Sequence, residues 1–428
     1  MRDFSSEHFI LEDGAKIAVI GGGPAGSFFT YFALDFADRI GLDISIDVYE
    51  AKDLTCSGPK GCNRCGGIVS ESLIQTLSAE GVVLPSKVIQ RGIESYKLHL
   101  ENGSAVIETP LQEQRIAAMF RGFGPNGSTE SELEGFDNYL LELCKEKGAR
   151  VVRERVSEAI RTADGVTLTT KDTKKARYDL VVGAVGLNGK TLELFKSICP
   201  SFIPPETTKT YISEFQLEPE EVDQYFGNTM HVFLLNLPNI KFGALIPKGS
   251  YVTLVLLGKD INKEIASSFV NSEPVRKLFP PGTNLEDITP CKCFPSINVK
   301  GAKLAYDDRA VLVGDSASSK LYKNGVGAAY ITGKAAANTA IFNGISGAAF
   351  RKYYQPVCSE LDGDNKLGKF IFSVTGIIQK SALIKGALLS MVVSEQQREG
   401  KKRRMSSVLW DTFTGSAAYR DIFLRCLN

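Results

Sequence analysis

The sequence predicts an α/β chain: a parallel-sheet core, interrupted by antiparallel sheet and followed by a helical C-terminal region. Three observations predict it. The apolar run Lys16–Ile20 leads straight into a glycine-rich turn at Gly21–Gly26 and then a helical stretch. The same pattern of a short buried strand returns far along the chain at Asp308–Val313. Between them lie strand-like runs in residues 90–110 and 210–257, the first alternating apolar and polar residues.

Each element follows in order. Lys16–Ile20 is short and apolar, as a parallel strand covered on both faces must be. Ala25–Asp38 reads as a helix and Ser45–Glu50 as the next strand, a βαβ unit of about 35 residues. Residues 53–67 are a loop rich in Gly, Cys and Pro, and Ser70–Glu80 is a short helix. Residues 121–135 form a loop of Gly, Ser and Glu. Phe136–Lys147 is an amphipathic helix, Ala149–Val156 a strand, and Asp164–Val182 a hairpin ending in the buried strand Tyr178–Val182. The runs TYISEFQL, MHVFLLNL, KFGALIP and YVTLVLLG suggest a second, antiparallel sheet. Gly325–Asn343 is a helix of small residues, and residues 346–428 are mostly helical. The expected division is a discontinuous dinucleotide-binding domain of residues 1–74, 116–199 and 291–345. An antiparallel-sheet domain takes residues 75–115 and 200–290, and a helical region takes 346–428.

Bulk properties narrow the function classes. A chain of 428 residues is long for one core. With 43% hydrophobic and 23% charged residues it is a folding composition rather than a disordered one. A net charge of +1 offers no global field to nucleic acid. The first residues mix acids with apolar groups, unlike a secretory signal, and no uninterrupted apolar run reaches the roughly 18 residues of a membrane span. A cytoplasmic location is the expectation.

The motifs carry the chemistry. In Gly21-x-Gly23-x-x-Gly26 the first glycine permits a tight turn, the second lets a pyrophosphate approach the backbone, and the third lets helix pack on strand. Pro24 and Ala25 open the helix, whose free N–H groups and dipole favour the anion. Glu50, followed by Ala51, ends the second strand, where an acid accepts a ribose hydroxyl and repels a 2′-phosphate. A second segment, Gly314-Asp315, follows another strand and precedes Gly325-Val326-Gly327 at a helix start. Its acid can bind a further hydroxyl, and its helix end can stabilise an anionic reduced ring. An extended FAD uses such a second element and NAD does not, so FAD is the expected cofactor.

At these residues the chain resembles the FAD-dependent geranylgeranyl reductase family, within the flavoprotein monooxygenase-like superfamily. The resemblance rests on IAVIGGGPAG with Glu50, on Cys65-Gly66-Gly67, on KFGALIPKGSYVTLVLLG with its turn at Pro247–Gly249, and on VLVGDSASSKLYKNGVGAAYITGKAAA. Phe136-Asp137-x-x-Leu140 is similar to the family's helix start before a flavin-contacting region. The resemblance implies a Rossmann-type FAD-binding domain with an inserted antiparallel-sheet substrate domain. It implies Cys65 as the catalytic residue, with Gly66 and Gly67 close to the flavin ring. It implies reduction of C=C bonds of an isoprenoid or other hydrophobic substrate by hydride from reduced flavin. The electron donor stays open between NAD(P)H and a ferredoxin-like protein. Two departures stand out. Lys241 and Gly243 fall where family members carry aromatic residues lining a prenyl pocket. Gly183-Ala184-Val185-Gly186 lacks the acid of the hydroxylases' Gly-Ala-Asp-Gly. The rival readings are a flavoprotein electron carrier, and a flavin monooxygenase or halogenase, although Trp410 is the only tryptophan.

Nine cysteines admit three readings. Cys65 is a flavin-proximal thiol; or Cys62 and Cys65 form a redox pair with Cys56 accessory; or Cys56, Cys62 and Cys65 join Cys291 or Cys293 around zinc or an iron–sulfur cluster. Lys60 and Arg64 would lower nearby thiol pKa values. His8, His99 and His231 are far apart in sequence, so a histidine-rich metal site is not expected. Phe370–Val393 is apolar but broken by Lys380 and Lys385, and residues 401–404 read KKRR. This is a core helix pair with a solvated basic turn, or a surface that meets the cytoplasmic face of a membrane.

Overall fold

The computed structural model describes residues 9–62, 65–109, 114–128, 133–322, 324–397 and 403–427. The strand Ala15–Ile20 lies at the centre of a six-stranded sheet. Ile44–Tyr49 and Leu180–Gly183 flank it in parallel, and Arg150–Val152 and Ala310–Leu312 extend the parallel order outward. Tyr306–Asp307 closes one edge antiparallel. Ile17, Ala18 and Val19 are fully buried because both faces of this strand are covered. Helix Pro24–Ile40 packs along helix Gly325–Phe342, where small residues permit close approach. A Cβ on Gly333 would stand 3.0 Å from the backbone of Ala25 and Phe29. Phe195 of helix Gly189–Ile198 fills the space over Gly183, 2.6 Å from where a Cβ would lie.

Two expected strands divide. Tyr178–Val182 breaks at Asp179: Lys175–Tyr178 pairs with Gly165–Thr170 in a separate three-stranded sheet, and Leu180–Gly183 joins the parallel sheet. Asp179 makes the junction through Lys16, whose N–H donates to its carboxylate at 2.9 Å and whose carbonyl accepts its N–H at 2.8 Å. Likewise Ala149–Val156 becomes the end of one strand, Arg150–Val152, and the start of another, Val156–Thr162.

A seven-stranded sheet runs in the order Cys291–Cys293, Tyr211–Gln216, Tyr251–Gly258, Ile240–Lys248, Thr229–Phe233, Ser95–Leu100, Gly103–Glu108. All neighbours are antiparallel except Ser95–Leu100 and Thr229–Phe233. Alternate residues of its central strands enter different cores. Leu245, Leu254 and Leu256 pack with Phe215, Phe233 and Phe269 on one side. Phe242, Ala244, Ile246, Val255 and Leu257 face Phe372, Leu388 and Phe413 of the C-terminal helices on the other. A sheet covered on both faces explains why these strands read as apolar runs rather than as an alternation. The C-terminal helices are Gln355–Lys380, Ala382–Gln396, Arg404–Thr414 and Tyr419–Leu427.

Candidate functional site

The glycine turn sorts into two kinds of position. Gly21 has φ +110°, and a Cβ there would meet the Ala184 carbonyl at 2.3 Å. A Cβ on Gly26 would stand 1.9 Å from the Gly21 carbonyl. These two glycines are demanded by the chain itself. Gly23 faces open space, with the Arg121 guanidinium 3.4 Å away as the nearest group, and it lines a cavity of about 800 Å³. Gly23 is also the N-cap of helix Pro24–Ile40 and supplies no side-chain cap, so the first-turn N–H groups lack a side-chain acceptor. Glu50 lines the same cavity, its carboxylate held by the N–H groups of Gly22 at 2.9 Å and Lys52 at 2.8 Å.

The second segment approaches the first. Gly314 has φ +65°, and a Cβ there would stand 2.6 Å from that of Ala25. Asp315 lines the cavity, and its carboxylate has no hydrogen bond among the described residues. Asn324, itself left-handed at φ +47°, caps helix Gly325–Phe342 by accepting the Gly327 N–H at 2.8 Å. Of the expected cofactor residues, Gly21, Gly23, Pro24, Ala25, Glu50, Ala51, Cys65, Gly66, Gly67, Asp315 and Gly325 line the one cavity. Gly26, Gly314 and Gly327 stand behind it and hold the turns.

Sequence reasoning missed Arg121. It lines the cavity and pairs with Asp137 through two bonds of 2.8 and 2.7 Å. Asp137 is fully buried. Burial opposes the charge on Arg121, and the carboxylate of Asp137 outweighs it, so its pKa is raised. A half-buried cation beside Gly23 complements an anion at the helix end. The helix start at Phe136-Asp137 was the one signal available in sequence.

The Cys65–Gly67 loop is held from below. Lys248 is fully buried, donates to the Gly66 carbonyl at 2.7 Å, and lies 4.8 Å over the Phe120 ring. Burial lowers its pKa, with Glu214 opposing, and burial raises that of Glu214, which accepts from Thr253 at 2.6 Å. Beyond this loop the cavity wall turns apolar: Ile212, Met230, Phe242, Ala244, Ile246, Val255, Leu257 and Phe413. Strand parity corrects the expectation for Gly243, while Lys241, beside a register shift, donates to the Phe372 carbonyl at 3.4 Å. The residues facing the cavity are Phe242, Ala244 and Ile246, while Gly243 lies against Phe269 on the opposite face, where a Cβ would meet the ring at 2.4 Å.

The cysteines converge only in part: Cys62 lies within electrostatic reach of Cys291, and Cys62 and Cys65 of Lys248. All nine are free thiols, and among the described residues no three His, Cys, Asp or Glu side chains come together as a metal site. Cys291 and Cys293 sit on an edge strand of the antiparallel sheet. Nor is Cys56 activated as expected from Lys60. Burial and a hydrogen bond to Asp53 raise Cys56 despite Lys60, and burial pushes Cys291 up to about 11. Arg64, His8 and residues 401 and 402 lie outside the described residues. His99 and His231 do meet, with ring nitrogens 2.9 Å apart.

These features fit FAD: a backbone cradle that side chains would fill, an acid at the end of the second strand, and a second free acid where two helix N-termini converge. The fold is mixed α/β with parallel and antiparallel sheets, similar to that of FAD-binding flavoproteins. The sequence matches no protein-family model and no curated protein. Solved structures do resemble it. A geranylgeranyl bacteriochlorophyll reductase-like protein from Thermoplasma acidophilum superposes with a TM-score of 0.69 at 17% identity, covering 96% of this chain and 98% of that one. HpxO of Klebsiella pneumoniae, solved with FAD and uric acid, gives 0.59 at 15% identity over 93% and 96%. The p-nitrophenol 4-monooxygenase PnpA of Pseudomonas putida gives 0.59 at 13% identity over 95% and 99%.

Proposed function

We propose that the protein is an FAD-dependent oxidoreductase that saturates carbon–carbon double bonds of an isoprenoid or other hydrophobic substrate. The observation that carries this reading is a single cavity joining the glycine cradle to an apolar wall, with the Cys65–Gly67 loop at their junction. When bound, FAD supplies the hydride. The chain's own residues bind and orient. The helix end at Gly23 and Arg121 hold the pyrophosphate, Glu50 a ribose hydroxyl, and Asp315 a hydroxyl of the ribityl chain. Met230, Phe242, Ala244, Ile246, Val255 and Phe413 seat the apolar substrate and exclude water. Cys65 stands at the reacting end of this cleft.

The reductase-like neighbour supports this reading, and the absent acid at Ala184-Val185 argues against hydroxylase-style use of NAD(P)H. The monooxygenase neighbours supply the rival. The test is anaerobic mixing of the reduced, FAD-loaded protein with prenyl alcohols and prenyl phosphates. Reoxidation of the flavin with a product heavier by two hydrogens supports the reductase. A reaction that needs oxygen and yields a hydroxylated product replaces it with a monooxygenase. Comparing NADPH with reduced ferredoxin in the same assay assigns the donor.

A further inference from the structure

Helix Gln355–Lys380 is apolar on two faces. One side buries Leu361, Gly368, Phe372 and Thr375. On the opposite side Phe370, Val374 and Ile377 are 55%, 40% and 59% exposed, at helical spacing. Lys366 borders that outer face, Lys369 and Lys380 lie exposed along its flank, and the three make no ion pair among the described residues. At Ser381 the chain bends by 107° into helix Ala382–Gln396. The corner presents Leu383, 87% exposed, and Ile384. Between Asp364 and Glu395 the sequence holds no acidic residue and four lysines. Among the described residues Lys385 alone of these is paired, with Glu101 at 2.7 Å. In the adjoining groove Lys303 and Arg351 stand beside Lys366 and Lys369, four cations against the one acid Asp362.

A surface helix of a protein surrounded by water carries polar residues outward. Here the outward residues are apolar and basic, the composition of a helix lying in a lipid interface. We propose that this face docks on a bilayer surface bearing anionic lipid: Phe370, Val374, Ile377 and Leu383 enter the apolar boundary, and Lys366, Lys369 and Lys380 meet the headgroups. Among the described residues no single helix is long and apolar enough to cross a membrane, and although the bent pair reaches that length and composition together, its inner side is buried against the protein through Phe372 and Leu388, which supports a helix lying along the surface. Phe372, on its inner side, stacks on Phe242 of the cavity wall at 5.8 Å, so the docking helix also backs the apolar cleft. The inference stands on the surface alone and goes beyond the reductase reading.

The test is vesicle flotation of the full-length protein with phosphatidylcholine alone and with phosphatidylcholine doped with phosphatidylglycerol. The protein is expected to float with the anionic vesicles and to be partly released by salt. Ile377→Glu with Leu383→Glu should lower partition by at least about tenfold. Each of Lys366→Gln, Lys369→Gln and Lys380→Gln should cost about fivefold, on anionic vesicles only. These positions are exposed, so unchanged circular dichroism and thermal melting are expected and exclude misfolding as the cause. Wild-type protein that stays unbound, or variants that float like wild type, would overturn the proposal. So would a dimer in sedimentation velocity that Leu383→Glu dissociates, because a second copy would then own this face.

Discussion

Gly23 and Gly26 are three residues apart, yet their surroundings differ, and the difference is measurable. A Cβ on Gly26 collides with backbone at 1.9 Å, so Gly26→Ala forces strand and helix apart. It is expected to destabilise the apoprotein by about 3 kcal/mol or more. Gly23→Ala meets the Arg121 guanidinium at 3.4 Å and the Asp137 carboxylate at 3.8 Å, both ordinary contacts. It should leave the apoprotein melting temperature near that of wild type and weaken FAD binding at least about tenfold, the space being reserved for the pyrophosphate. Calorimetry of the apoprotein and FAD titration separate the two. Arg121→Met removes two charge-assisted hydrogen bonds from the fully buried Asp137 and should cost about 1.5–3 kcal/mol. Adding Asp137→Leu should recover most of that stability but not FAD affinity, because the cation facing the cavity is gone.

At the scale of elements, two neighbouring strands place a titratable pair inside the antiparallel sheet. His99 and His231 are buried and share one hydrogen bond, which requires one donor and one acceptor nitrogen. Burial lowers the pKa of His99 to about 4 and that of His231 well below its ordinary value. The unfolded chain takes up protons near pH 6.5 while the folded pair does not. Stability from the neutral pair is therefore intact above pH 6.5 and is lost as pH falls toward 4. His99 alone contributes a loss of roughly 2 kcal/mol at pH 5. Urea unfolding at pH 7.5 and pH 5 should show the drop, and a His99→Leu/His231→Leu variant should flatten it.

Strand parity gives a second expectation at this scale. Ala244→Phe fills the cavity and should raise KM for an apolar substrate without changing FAD affinity. Gly243→Ala presses on Phe269 and should lower stability without changing KM.

For the whole molecule, the cavity draws on both large sheets and on the C-terminal helices, so ligand and fold stabilise one another. Free FAD at one hundred times its Kd should add ~2.7 kcal/mol to unfolding stability. Glu50→Arg should abolish that increment, since the cation removes the hydroxyl acceptor and the bonds to the Gly22 and Lys52 N–H groups. Thermal melts with and without FAD check it.

What the sequence by itself determined lies where a few contiguous residues make the chemistry. The strand, turn and helix around Gly21, Gly23 and Gly26 are legible because each glycine answers to neighbours a few residues away. Glu50 and Asp315 are legible because a strand end fixes where its acid emerges. Only the tertiary structure decided the rest. Arg121 reaches Gly23 across about a hundred residues of chain, and nothing local in its sequence marks a ligand. His99 and His231 meet because their strands pair in register, which spacing in sequence does not encode. The choice of Phe242 and Ala244 over Gly243 as cavity wall turns on register as well: in a strand buried on both faces, hydrophobicity no longer tells one side from the other. Three readings of the cysteines stood open in sequence; the fold brings Cys291, on an edge strand, within electrostatic reach of Cys62 while Cys65 lines the cavity, a proximity that spacing in sequence does not encode.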